Sequence, residues 1–231
     1  MAVKIDPQVL YEDNHLLIVN KPAGWLVQGD KTGDRTLTDW GRDYIKKKYN
    51  KPGDAFLHPT HRLDRPVSGI VVFASTSKAL ERMNKLFHDD QVQKTYLAMV
   101  KDRPENPTGK LTHWLVKDTE KNITKAFNKA KGNAKYAELD YQIKGSLKDI
   151  SLLIVKPKTG RPHQIRVQLA KMKCPIKGDL KYGFPTPNED KSISLHAFQI
   201  SFIHPVKKEP LTITSKPRWS VFNHIINGLD R

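Results

Sequence analysis

A single cysteine in 231 residues, Cys174, removes two classes of structure at once. No disulfide can close within the chain, and no thiolate metal cluster can form within it. Cys174 stands beside Pro175 and reads as a small, partly buried residue. No apolar stretch approaches the roughly 20 residues that a membrane-spanning helix needs, and the N-terminus has no continuous apolar core of a secretion signal, so the expectation is a cytoplasmic protein. Acidic residues are also in short supply. Asp plus Glu number 24 against 40 Lys plus Arg, a formal charge of +16, which favours a polyanionic partner through counterion release. Charge alone does not choose between RNA, DNA and an anionic membrane. Glycine (13) and proline (15) are not enriched enough to suggest low complexity, and the length suffices for a substantial core.

The most distinctive stretch is His61-Arg62-Leu63-Asp64-Arg65-Pro66-Val67-Ser68-Gly69. It sets one carboxylate between two guanidinium groups, an arrangement that favours an ionised aspartate, just ahead of the apolar run Ile70 to Ala74. Ser68-Gly69 permits a tight entry into that strand. The spacing of His58, His61 and Asp64 also admits a metal-dependent hydrolase, although Pro59 interrupts a regular helical presentation. A second distinctive segment, Lys158-Thr159-Gly160-Arg161-Pro162-His163-Gln164-Ile165-Arg166, follows the apolar run Leu152 to Val155. It opens a helical pattern with Ile165, Leu169 and Met172 on one face.

Periodicity organises the remainder. Leu16 to Val19 reads as a buried strand stopped by Lys21-Pro22-Ala23-Gly24, and Leu37, Trp40, Tyr44 and Ile45 recur as in a helix ending at Asn50. Ser77 is placed to cap a helix carrying Leu80, Met83, Leu86 and Phe87. Strands are expected at 95–100, 111–116, 137–143, 152–155, 193–202 and 211–214, and a terminal helix at 219–226. Residues 117–135 carry six lysines and read as a mobile basic hairpin or loop that either contacts RNA or is merely solvated. Strands dominate without regular strand–helix alternation, which predicts an α+β domain on a mixed sheet, with residues 1–231 forming a single domain of one or two lobes.

Taken together, the two distinctive segments resemble the RluA-type family of pseudouridine synthases. The likeness continues through Asn20-Lys21-Pro22-Ala23-Gly24, Gln93-Lys94-Thr95-Tyr96, Pro175-Ile176-Lys177-Gly178-Asp179, Tyr182-Gly183, Ser194-Leu195-His196-Ala197 and Phe202-Ile203-His204-Pro205, all in order. It implies a largely antiparallel sheet with flanking helices and a central active-site cleft. It also implies isomerisation of uridine to pseudouridine in structured rRNA or tRNA, with no cofactor and no metal. The match begins about ten residues in, which leaves no room ahead of it for an S4-type RNA-binding domain.

By resemblance, Asp64 is the catalytic carboxylate, attacking the sugar or steering elimination. Tyr96 packs on the base and accepts or relays the C5 proton, and Arg166 pairs with Asp64. Arg62 helps to flip the nucleotide, while Lys21 and Arg161 are placed with the substrate-binding residues, Lys21 first as a support of the loop. Many relatives have threonine where this chain has Val67. A monomer without an obligatory protein partner is the default. The rival to catalysis is a silent RNA-binding module, which the charge would explain equally well.

Overall fold

A computed structural model describes residues 5–30 and 32–229. The chain divides into two compact units, one of Met1–Gln93 with Ala197–Pro217, the other of Lys94–His196 with Arg218–Arg231.

The first unit is built on a buried pair of strands. β1 (Gln8–Glu12) and β2 (Leu16–Lys21) lie antiparallel, and β2 pairs antiparallel with β4 (Ser68–Ala74), setting Leu16 opposite Ala74 and Lys21 opposite Gly69. β3 (His58–Pro59) joins β4, β10 (Leu195–Ile203) follows β4 in the strand order, and β11 (Pro210–Thr214) pairs with β10. Leu16 to Val19 and Gly69 to Ala74 are all buried, so both faces of these strands need cover. Alternation decides which residue meets which helix. Leu16, Ile18, Ile70, Val72 and Ala74 pack with Ala79 and Met83 of α2 (Ser77–His88). On the opposite face, Gly41 of α1 (Leu37–Lys48) lies so close to Leu57 and Leu17 that an added Cβ would come within 2.5 Å of the Leu57 side chain. Thr36 caps α1 in a reciprocal box with Asp39.

The second unit is an antiparallel sheet in the order β5 (Gln93–Lys101), β9 (Ile150–Pro157), β8 (Lys135–Leu147), β6 (Thr108–Asp118) and β7 (Ile123–Phe127). Its helices are α3 (Gln164–Lys171), a 3-10 turn at Leu180–Tyr182 and the short α4 (Asn223–Ile226). The expected alternation of Ala137, Leu139 and Tyr141 is present as three buried residues on β8. No described helix is long and apolar enough to cross a membrane.

Two expectations need correction. The cap of α2 is Thr76, whose extended backbone lets its hydroxyl accept the Ala79 N–H; Ser77 is already helical. The terminal helix covers only 223–226, because Phe222 takes a left-handed conformation (φ 65°) and packs against Gly145. Of the hairpin and the loop expected over residues 117–135, the hairpin is present as β6–β7, with Trp114 opposite Phe127 and Asp118 opposite Ile123. Strand β1 escapes the sequence pattern because a register shift between Val9 and Tyr11 breaks its alternation.

Candidate active site

In the first unit the site residues lie on two turns that are stitched together. Val67 N–H closes a turn on the Asp64 carbonyl at 3.0 Å. Buried Leu63 and Val67 anchor that turn on either side of Asp64, which stays half-buried. Val67, 2 % exposed, therefore serves as an apolar anchor of this turn. The facing turn, Lys21 to Trp25, is joined to it by Gly24 N–H on the Arg65 carbonyl (2.8 Å) and by Arg65 Nε on the Gly24 carbonyl (3.1 Å). Gly24 needs its positive φ of 87° for this bend. Gly69 has φ 116°, and a Cβ there would sit 2.4 Å from the Ala197 carbonyl oxygen. Glycine is required here by the close approach of a neighbouring backbone as well as by the bend.

Lys21 is the hub of the two turns. It is 0 % exposed, and its ammonium donates to the carbonyls of Trp25 (2.8 Å), Pro22 (3.2 Å) and Arg65 (3.2 Å). Burial pulls its pKa down to about 7, against the opposing pull of the Asp64 carboxylate. Its three N–H groups meet three carbonyls of the two turns, so the ammonium ties the Lys21 turn to the loop that carries Asp64. Arg65, expected to flank Asp64, instead directs Nη2 to Asp34 at 2.8 Å. Arg62 is exposed.

In the second unit Tyr96 lies on β5 opposite Val155 of β9 and is half-buried. Arg166 lies on α3, buried, and forks its Nε and Nη2 onto the Asp179 carboxylate at 2.7 and 2.9 Å. Asp179 is 1 % exposed. The Tyr182 ring lies 5.0 Å from the same guanidinium. The loop before α3 is held by Gln164, whose Oε1 accepts from Arg161 N–H (3.0 Å) and the Thr159 hydroxyl (2.7 Å), and whose Nε2 donates to the Glu138 carbonyl (3.0 Å). Exposed Arg161 donates through Nε to the Tyr136 carbonyl at 3.0 Å. His163 enters the helix in a left-handed conformation, φ 51°.

The sequence alone gives Asp179 and Tyr182 no role. The signal was present in Gly178-Asp179 and Tyr182-Gly183, but only the folded chain shows that both serve Arg166. The histidines of the metal reading are used otherwise. His61 Nε2 accepts the Val72 N–H at 3.1 Å, and the His58 ring lies 4.6 Å from Phe56. Among the described residues no group of three His, Cys, Asp or Glu side chains is placed to hold a metal.

The first unit supplies a carboxylate on a turn, and the second supplies a phenol on a strand and a guanidinium paired with a buried acid. These suit chemistry at a sugar and base that needs charge stabilisation and one proton transfer. Comparison with known proteins gives this inventory a context. The RNA pseudouridylate synthase family matches residues 15–171. The chain is 31 % identical over 211 residues to the dual-specificity RNA pseudouridine synthase RluA of Haemophilus influenzae, covering 90 % of this chain and 92 % of that one. It is 32 % identical over 228 residues to the ribosomal large subunit pseudouridine synthase C of Buchnera aphidicola from Schizaphis graminum, covering 96 % of this chain and 70 % of that protein. Among solved structures, human RNA pseudouridylate synthase domain containing 4 superposes with a TM-score of 0.77 at 26 % identity, covering 95 % of this chain and 92 % of that one.

Proposed function

Because the chain belongs to the RNA pseudouridylate synthase family, of RluA type, and is an RNA pseudouridine synthase and hence an isomerase, we propose that Asp64, Tyr96 and Arg166 carry its reaction on uridines of structured rRNA or tRNA. The conversion breaks the N1–C1′ bond, turns the detached uracil and joins C5 to C1′. Nothing is oxidised, so no redox cofactor is called for.

Asp64 acts at the sugar as nucleophile or as the group that steers elimination. Tyr96 packs on the uracil and accepts or relays the C5 proton; a phenol is a weak base near neutral pH, so its placement supplies most of the effect. Arg166, forked onto Asp179, pairs with Asp64 and orients it. Arg62 enters the space vacated by the flipped nucleotide, and exposed Arg161 contacts the RNA backbone. The single observation that best supports this reading is the Asp64 turn, tied to the Lys21 turn by a buried ammonium and two backbone-directed bonds. Such pre-organisation is expected of a reacting carboxylate and has no use in a silent binding module.

Both units are proposed to serve one catalytic domain, since the family match runs through residues of both. The enzyme is proposed to act in the cytoplasm as a monomer, without an obligatory protein partner. The test is tritium release from RNA labelled with 5-tritiated uridine. Wild-type protein releases tritium, with or without a chelator, and Asp64→Ala releases none while holding RNA within about tenfold of wild-type affinity, because phosphate contacts dominate binding. No release by wild-type protein from any cellular RNA would favour the silent module, and release abolished by chelation would return the metal reading.

A further inference from the structure

Tyr182 lies where three parts of the second unit meet, and the isomerisation chemistry assigns it no task. Its ring faces the Arg166 guanidinium at 5.0 Å and packs against the buried cluster of Leu115, Ala137 and Val167. Its hydroxyl accepts the Thr124 backbone N–H at 2.9 Å and lies 2.8 Å from His163 Nδ1. One oxygen thus joins the entry to the arginine helix with β7.

β7 is the last strand in the order of the second unit and belongs to the hairpin that exposes Lys117, Lys121 and Lys125. An outer strand of five residues with a single hydrogen-bonded neighbour frays easily. Here it is tied down from the side of α3. Besides the Tyr182 contact, the Thr124 hydroxyl donates to the Pro162 carbonyl at 3.0 Å, and Lys181 Nζ donates to the Asn122 carbonyl at 3.1 Å. The ties run from the residues beside Arg166 to the stretch that carries the lysines.

We propose that Tyr182 is a positioning residue for the isomerisation: its ring seats Arg166, and its hydroxyl fixes the basic β6–β7 hairpin in register with that arginine. An RNA backbone held by the hairpin lysines is then registered to the catalytic guanidinium through one side chain. The inference rests on the proposed role of Arg166 and assigns the hairpin to phosphate contact.

The two functions of Tyr182 separate by substitution. Tyr182→Phe keeps the ring and loses the hydroxyl, whereas Tyr182→Leu loses both. With total RNA labelled with 5-tritiated uridine, from cells lacking this gene, Tyr182→Phe should raise the apparent KM by about five- to tenfold, the value of one hydrogen bond, with kcat within about twofold. Tyr182→Leu should show the same rise in KM and in addition a fall in kcat of about tenfold or more, as the guanidinium loses its seat. Phenylalanine thus rescues turnover but not affinity. Arg166→Lys serves as the control, and thermal melting is followed for every variant. Unchanged kinetics in both tyrosine variants, or kcat losses equal in both and proportional to lowered melting temperature, overturn the inference. If Arg166→Lys retains full kcat, the reading of Arg166 fails with it; if Arg166→Lys is impaired and the tyrosine variants are not, only the role of Tyr182 falls.

Discussion

The buried ammonium of Lys21 makes a prediction whose sign and size follow from the fold. Burial lowers its pKa from 10.5 in the unfolded chain to about 7 in the native state, with the negative charge of Asp64 working in the other direction. Below pH 7 both states hold the proton, and the native state bears the full cost of a buried cation. Between pH 7 and about 10 the unfolded chain binds a proton that the native chain has shed, so stability rises with pH, by about 1.4 kcal/mol per unit for one group. Lys21→Met removes the titration and keeps an unbranched apolar stem. The assay is urea unfolding followed by tryptophan fluorescence from pH 5.5 to 9.5, taken as the difference between wild type and variant so that other groups cancel. Wild type should gain about 2 to 3 kcal/mol on the variant between pH 7 and 9, and nothing below pH 6. A second arm tests the partner. Asp64→Asn removes the charge that supports the ammonium, so the onset of the gain should move to lower pH. A difference that is flat or falling between pH 7 and 9 would refute the account of Lys21 as a buried cation governed by its surroundings.

Two other groups give equally direct expectations. Asp179→Ala strands the buried Arg166 guanidinium without its two-point acceptor and should cost about 3 to 5 kcal/mol, read as a fall in melting temperature of roughly 6 to 20 °C; a loss under about 1 kcal/mol would show that the pair contributes little. His204 is buried, accepts the N–H groups of Val206 (3.2 Å) and Lys207 (3.0 Å) on Nδ1, and has its pKa lowered, first by burial. Its stabilising effect is complete above the unfolded histidine value of about 6.5 and is lost as pH falls through its lowered native value. His204→Gln should therefore be less sensitive to acid than wild type below pH 6.5 in the same unfolding assay, and parallel curves would contradict this.

What the sequence discloses and what it conceals divide along physical lines. Strands with one or two buried faces are readable because alternation or an unbroken apolar run encodes them locally, as in β8 and in Ile70 to Ala74. The cap of α2 is misplaced by one residue because Thr76 and Ser77 offer the same hydroxyl, and only the extended backbone at Thr76 decides between them. The terminal helix is overextended because a left-handed Phe222 is imposed by packing at Gly145, which no local pattern foretells. At the site, the motif singles out Asp64 as the proposed reacting carboxylate, whereas Lys21, a cation coupled to it within the first unit, comes from 43 residues earlier in the chain. Arg65, adjacent in sequence, turns to Asp34. Likewise Asp179 and Tyr182 gain their meaning only when α3 brings Arg166 against them. Motifs name the proposed reacting groups; the residues that hold those groups are chosen by tertiary contact.

The central claim is that this chain isomerises uridine through Asp64. It is tested most directly by nucleotide-resolution mapping of pseudouridine in total RNA from cells with the gene, without it, and without it but supplied with Asp64→Asn. The account predicts that at least one site disappears on deletion, returns with the wild-type gene and stays absent with Asp64→Asn. A map unchanged by deletion, or a site restored by Asp64→Asn, would contradict it.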